Sequence, residues 1–146
     1  PRTVHFDRLV EENLERVDQV VILGGGYDLR ILKLSRGKDV SVFELDAEKT
    51  QAMKLNTLKR AGIAHDWVTY IPMDFRLESW ADKLLESSFD PARKTLFHWE
   101  SVSCYLEEAV VADSLKKMSG LCAEGSVITQ DFYAQHFLSG WLTLLA

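Results

Sequence analysis

The sequence predicts an α/β protein built on an open, mostly parallel sheet with helices on both faces. Three observations predict it. Short apolar runs of strand length alternate with longer segments free of Pro and Gly inside. Turn and cap residues punctuate the junctions. The strand–helix alternation repeats four times after the first strand, the pattern that βαβ units impose on a chain.

The elements follow in order. Residues 2–15 read as a helix leading into the sheet. Residues 19–23 (QVVIL) form an apolar run that stops at three glycines, as a buried strand does. Residues 28–34 have helical character, and residues 40–45 (VSVFEL) read as the second strand. Residues 46–61 contain neither Pro nor Gly; Asp46 can cap the start of this helix and Gly62 end it. A third strand is expected at 68–72 (VTYIP), a Ser-started helix at 79–86, and a fourth strand at 95–99 (TLFHW) after a Phe-Asp-Pro turn. Residues 106–118 make the clearest helix. Val111, Leu115 and Met118 share one face, Glu107 and Glu108 lie in the first turn, and Lys116 and Lys117 lie in the last, as the helix dipole favours. Residues 126–132 read as a fifth strand. The layout is Rossmann-like. After it comes an apolar tail, 141–146 (WLTLLA), with no partner element. Sheets of this kind often carry further strands beside the fifth. The expectation is therefore one domain over 1–146, truncated at its C-terminal side and lacking its closing strands, with an apolar edge prone to self-association. The alternative is a small complete domain whose tail packs back.

Composition narrows the function classes. The chain has 146 residues, 47% of them hydrophobic and 27% charged, which suits one globular domain. Its formal charge of −5, with no basic block, argues against a broad nucleic-acid footprint. No apolar run approaches the ~20 residues that cross a bilayer, and no charged-then-apolar leader opens the chain. The two cysteines, Cys104 and Cys122, lack metal-ligand spacing and make no disulfide framework. A cytoplasmic, reducing setting is expected, with no membrane or nucleic-acid partner and no metal.

The sharpest chemical signal is Gly24-Gly25-Gly26-Tyr27-Asp28, set between the first strand and the first crossover helix. In a doubly wound sheet ligands sit at the carboxyl ends of the strands. Glycines there reach positive φ and let the backbone approach a ligand, or simply make a tight turn. The second strand ends in Glu44-Leu45-Asp46. An acid at that place accepts hydrogen bonds from the two hydroxyls of an adenosine ribose; a helix cap is the other reading of Asp46. Taking Gly24 and Gly26 as the first two glycines of a dinucleotide fingerprint puts Leu29 at the third, so the nicotinamide pattern fails there. An adenosine ligand without a pyrophosphate fits better, and S-adenosylmethionine is the common one.

The remaining strand ends extend that reading. Asp74 and Phe75 follow the third strand, where a carboxylate can hold an adenine amino group and an aromatic can cover the ring; Asp74 as a turn residue is the alternative. Glu100 follows the fourth strand and could take the methionine ammonium or stand as an exposed loop acid. Arg2 could pair with the methionine carboxylate or remain solvated. The four histidines are scattered, and no His–Cys constellation supports Cys104 as a nucleophile.

Together these residues make the chain similar to the leucine carboxyl methyltransferase-like group of class I S-adenosylmethionine-dependent methyltransferases. The matching stretches are Arg2-Thr3 with Phe6-Asp7, then 19–30 with its Gly-x-Gly-x-Asp-x-Arg turn, then Phe43-Glu44-Leu45-Asp46. Pro72-Met73-Asp74-Phe75, Phe89-Asp90-Pro91, Trp99-Glu100 and Tyr105-Leu106 complete the resemblance, which covers about residues 2–132. It implies that Arg2 meets the cofactor's carboxylate end, that Gly24 lies against its methionine part, and that Asp46 holds the ribose. It also implies that Asp74 and Phe75 sit at the adenine and that Glu100 reaches the amino-acid portion. Two departures stand out. Gly25 replaces the usual Ala, a mild change, and Phe75 stands where Leu is frequent.

The resemblance implies methyl transfer by in-line displacement, in which the protein chiefly positions and desolvates. No compelling general base is visible; His98 and Tyr105 are the nearest. That favours transfer to a carboxylate or other acidic oxygen, on a small molecule or a protein carboxylate, because such an acceptor needs no base. The competing readings are a nucleotide-dependent oxidoreductase, against which Leu29 argues, and a non-catalytic adenosine-binding domain.

Overall fold

The computed structural model describes residues 2–75 and 77–132, the side chain of Arg2 excepted. The 141–146 tail and the Arg2 side chain thus lie outside the described residues. Five parallel strands form one sheet in the order β3-β2-β1-β4-β5. They are β1 (Gln19–Leu23), β2 (Ser41–Asp46), β3 (Val68–Pro72), β4 (Thr95–Trp99) and β5 (Val127–Gln130). The chain steps outward from β1 through β2 to β3, then returns to the other side of β1 for β4. The topological switch therefore lies between β1 and β4, where such sheets open a crevice.

The helices are α1 (Arg2–Leu14), α2 (Arg30–Ser35), α3 (Glu48–Arg60), α4 (Trp80–Leu85) and α5 (Glu108–Gly120). Period-two alternation along each strand builds one apolar cluster on each face of the sheet. On one face Val20 and Ile22 of β1, Val42 of β2 and Leu96 of β4 pack with Val10 and Leu14 of α1, Ile31 of α2 and Leu58 of α3. On the other, Val21, Leu23, Phe43, Leu45 and Phe97 pack with Trp80 and Leu84 of α4 and Met118 of α5. Both layers of helices are present, as the sequence predicts. Val111 and Leu115 join Met118 against the same cluster.

The expected bounds shift at several ends. The first crossover helix starts at Arg30 rather than at residue 28, because the Asp28 carboxylate accepts the Arg30 backbone N–H (2.7 Å) and occupies the turn before the helix. Asp46 is the last residue of β2, and Ala47, not Asp46, caps α3. The Asp46 capping expectation is thereby corrected: its carboxylate is turned toward the glycine turn instead. A 3₁₀ turn at Ser103–Tyr105 pushes α5 two residues later than expected. Ser79 does start α4, accepting from the Asp82 N–H at 3.4 Å. The Phe-Asp-Pro turn is clamped by buried Gln19, which exchanges hydrogen bonds with both backbone groups of Asp90. Among the described residues no strand covers the outer edge of β5, where Ile128 and Phe132 are exposed. No described helix is long and apolar enough to cross a membrane.

Gly24 must be glycine for two reasons. Its φ is +70°, and a β-carbon there would lie 2.6 Å from Val102 Cγ2. Gly37 has a similar φ of +74° but open space around it. Gly24→Ala should therefore cost about 2–4 kcal/mol, from strain plus overpacking. Gly37→Ala should cost only about 1 kcal/mol, from strain alone. Urea unfolding of both variants measures the difference.

Candidate functional site

The carboxyl ends of β4, β1, β2 and β3 lie in a row, and the chain segments leaving them carry the residues singled out from the sequence. After β1 the backbone turns through Gly24 and Gly26, both at positive φ. Gly24 N–H donates to the Leu45 carbonyl (2.8 Å), and Asp28 N–H closes the turn on the Gly25 carbonyl (2.9 Å). Asp46, buried at the end of β2, accepts from Gly26 N–H and from Ala47 N–H, each at 2.6 Å. One carboxylate thus ties the exit of β1 to the exit of β2. Each of its oxygens has a further lone pair for a ligand hydroxyl.

A cavity of about 390 Å³ opens at the switch point, lined by the glycine turn with Asp28, Arg30, His98, Glu100 and Ser101. Arg30 organises its charge. The guanidinium bonds Glu100 after β4 and Asp7 of α1, and lies 3.5 Å from Asp28. Three carboxylates against one guanidinium leave the cavity rim acidic. Sequence reasoning assigned Arg30 no role, although it stands inside the glycine motif. Its three partners come from separate segments, so only the fold reveals the cluster. Ligand atoms of Asp28, His98 and Glu100 approach within 4.8 Å of one another, a spacing that suits a cation. Arg30 already supplies positive charge to both acids.

His98 is buried within β4 and meets the edge of Phe6. Its Nδ1 lies 2.9 Å from Thr129 Oγ1, and that hydroxyl donates to the Phe97 carbonyl. The Thr129 hydroxyl thus bridges the His98 ring and the Phe97 carbonyl, while Nε2 lies 3.6 Å from a Glu100 carboxylate oxygen. Burial holds the His98 pKa below its ordinary value, outweighing the opposite pull of Glu100. The other candidate base, Tyr105, is exposed and does not line the cavity. Ser101, the one described non-glycine residue at positive φ (60°), is held there by the Asp131 carboxylate accepting its N–H. No local sequence signal marked it.

The third strand contributes a shallower depression of about 760 Å³, lined by Ala47, Glu48, Met73, Asp74 and Phe75 among others. Phe75 also packs against the core. Glu78 accepts the Asp74 N–H and the Asp74 carbonyl receives two N–H groups, so Asp74 does sit in a turn as well as in the depression. The fold thus brings Gly24, Gly26, Asp46, Asp74, Phe75 and Glu100 to one edge of the sheet. At Gly25 a β-carbon would lie 2.8 Å from Cδ of buried Glu44, so the Glu44 carboxylate would have to shift to admit one.

Fold and site together define a Rossmann-like protein with a crevice at the topological switch point of its sheet. The sequence model of leucine carboxyl methyltransferases matches residues 1–119, and the chain belongs to that family. A Mycobacteroides abscessus protein named "Putative S-adenosyl-L-methionine-dependent methyltransferase" is 33% identical over 129 residues, covering 87% of this chain and 42% of that protein. A Mycobacterium avium protein of the same name is 29% identical, covering 98% of this chain and 47% of its own length. The chain therefore spans less than half the length of these relatives. A solved S-adenosylmethionine-dependent methyltransferase from Clostridium acetobutylicum superposes with a TM-score of 0.64 at 18% identity, over 93% of this chain and 52% of that one. Coclaurine N-methyltransferase, solved with N-methylheliamine and SAH, gives 0.58 at 13% identity, over 87% of this chain and 34% of that one. These structures share the fold.

The depressed His98 pKa has a definite sign in stability. A buried imidazole kept neutral contributes stability that is present above its unfolded value of about 6.5 and is lost as pH falls through the folded value. The urea midpoint should drop as pH is lowered from about 7 to about 5. His98→Gln should flatten that limb; an unchanged slope in the variant would assign the acid sensitivity elsewhere.

Proposed function

We propose that the chain carries the cofactor-binding core of an S-adenosylmethionine-dependent methyltransferase acting on a carboxylate or other acidic oxygen. One observation supports the reading: the acidic cavity, Asp46 and the Asp74–Phe75 depression follow one another along the carboxyl ends of the strands. The acidic cavity at β4 and β1 suits the ammonium and sulfonium end. Asp46 at β2 suits the ribose hydroxyls, and the Asp74–Phe75 depression at β3 suits the adenine. Strand order β4-β1-β2-β3 sets this sequence of subsites. Family membership supports the same ligand.

The bound sulfonium supplies an already activated methyl group. Its transfer to a carboxylate oxygen would form one C–O bond at the expense of the S–C bond and leave the electron pair on sulfur. No proton moves, so no base is required. That suits a cavity whose one histidine is buried and engaged through Nδ1. The acceptor is a carboxylate on a small molecule or a protein. Net acidity and a cysteine count of two fit a cytoplasmic setting without nucleic-acid or membrane partners.

Calorimetric titration with S-adenosylmethionine and S-adenosylhomocysteine tests the proposal. Saturable binding is expected, weakened about tenfold or more in Asp46→Ala by loss of buried charge-assisted hydrogen bonds. Absence of binding by the folded chain would overturn the cofactor assignment. Binding without turnover on any carboxylate would point to the non-catalytic adenosine-binding alternative.

A further inference from the structure

Lys54 lies within α3, yet its side chain is 2% exposed. Lysine is seldom buried so deeply without a partner that requires it. Its ammonium makes two hydrogen bonds, to Glu44 Oε2 (2.7 Å) and to the Asp28 backbone carbonyl (2.8 Å). Glu44 lies on β2 beneath the glycine turn, and Asp28 is the residue through which that turn exits. A second α3 side chain, buried Gln51, donates to the Glu44 carbonyl at 3.1 Å. The helix therefore grips strand and turn at one point.

The turn is shaped around this pair. Gly25 has no β-carbon, and the Glu44 carboxylate fills that space; an added β-carbon would sit 3.0 Å from Oε2, the oxygen that Lys54 holds. Asp28 closes the turn through its N–H, starts α2 through its carboxylate, and offers its carbonyl to Lys54. Holding that peptide thus fixes both the turn and the helix that carries Arg30. The other Glu44 oxygen, Oε1, is buried without a hydrogen-bond partner, and so is the Tyr70 hydroxyl. The two residues are register partners across β2 and β3. Burial, with Glu44 adding to it, pushes the Tyr70 pKa up to about 12, so the phenol keeps its proton.

We infer that Lys54 is a positioning residue of the cofactor site: anchored on Glu44, it holds the Asp28 carbonyl and so fixes the glycine turn in its ligand-receiving shape. The inference rests on the cofactor reading given above. The competing role is plain charge neutralisation, since a lone buried carboxylate would be costly.

The two roles separate in a pair of variants of the full chain. Lys54→Met removes the ammonium at nearly constant volume and should lower both the melting temperature and the affinity for S-adenosylhomocysteine. Adding Glu44→Gln removes the orphaned charge. In the double variant the melting temperature should recover, while affinity stays about tenfold below wild type. Amide exchange of the segment 19–33 without ligand should stay about tenfold faster than wild type. Recovery of affinity and exchange protection together with melting temperature would overturn the positioning role and leave charge neutralisation. The exchange measurement needs no ligand. If the wild-type chain fails to bind the cofactor, the functional reading falls while exchange still decides whether Lys54 holds the turn. A double variant that remains unfolded would also overturn the inference, since the pair would then be required for the fold itself.

Discussion

The structure depends on a steric constraint at the exit of β1. The chain must reverse there at positive φ, with Val102 pressed on Gly24 and Glu44 pressed on Gly25. Gly24 has no room for a β-carbon, and at Gly25 one would displace the Glu44 carboxylate. Because the turn is closed on both sides, its backbone N–H groups face defined partners: Gly24 the Leu45 carbonyl, and Gly26 the Asp46 carboxylate. Sheet, turn and the first crossover helix are thereby locked together at the switch point, where a ligand crevice is expected.

Charge is distributed around that turn on two levels. Beneath it, Glu44 and Lys54 form a buried pair in which Lys54 Nζ bonds Glu44 Oε2 and the Asp28 carbonyl while Glu44 Oε1 has no partner, so the attraction offsets only part of the desolvation. Burial still raises the Glu44 pKa, so the attraction of Lys54 only partly restores the ionised form. Above it, Arg30 is shared among Asp7, Asp28 and Glu100 at the half-open cavity rim. Asp7 comes from α1, so the helix that precedes the sheet is tethered to the site through one guanidinium. The lower pair sets geometry, and the upper cluster sets the electrostatic character that a cationic ligand would meet.

Glu100 shows how the two readings of a residue can merge. It is not an unengaged loop acid, since Arg30 bonds it and His98 Nε2 lies 3.6 Å away. Asp74 likewise holds a turn and lines a depression at once. Structural and ligand roles are not exclusive for side chains at strand ends, because the groups that satisfy a turn also border the crevice.

The sequence by itself determined the alternation of elements, the limits of β1, β3 and β4, the two-faced core and the glycine turn with its downstream acids. These are local signals: period-two or helical apolar spacing, Pro–Gly punctuation, and motif residues within a short stretch. Tertiary structure alone decided the rest. The start of α2 shifted because Asp28 used its carboxylate in the turn, and α5 shifted because a 3₁₀ turn intervened after β4. The Arg30 cluster unites Asp7, Asp28 and Glu100, while Lys54 reaches Glu44 and Asp28 from a separate helix. A sequence read along one dimension singles out Glu100 and the Asp28–Arg30 motif but does not show that Asp7 and Lys54 meet them. Only the parallel pairing of β1 with both β2 and β4 brings their segments to one edge and turns them into a site.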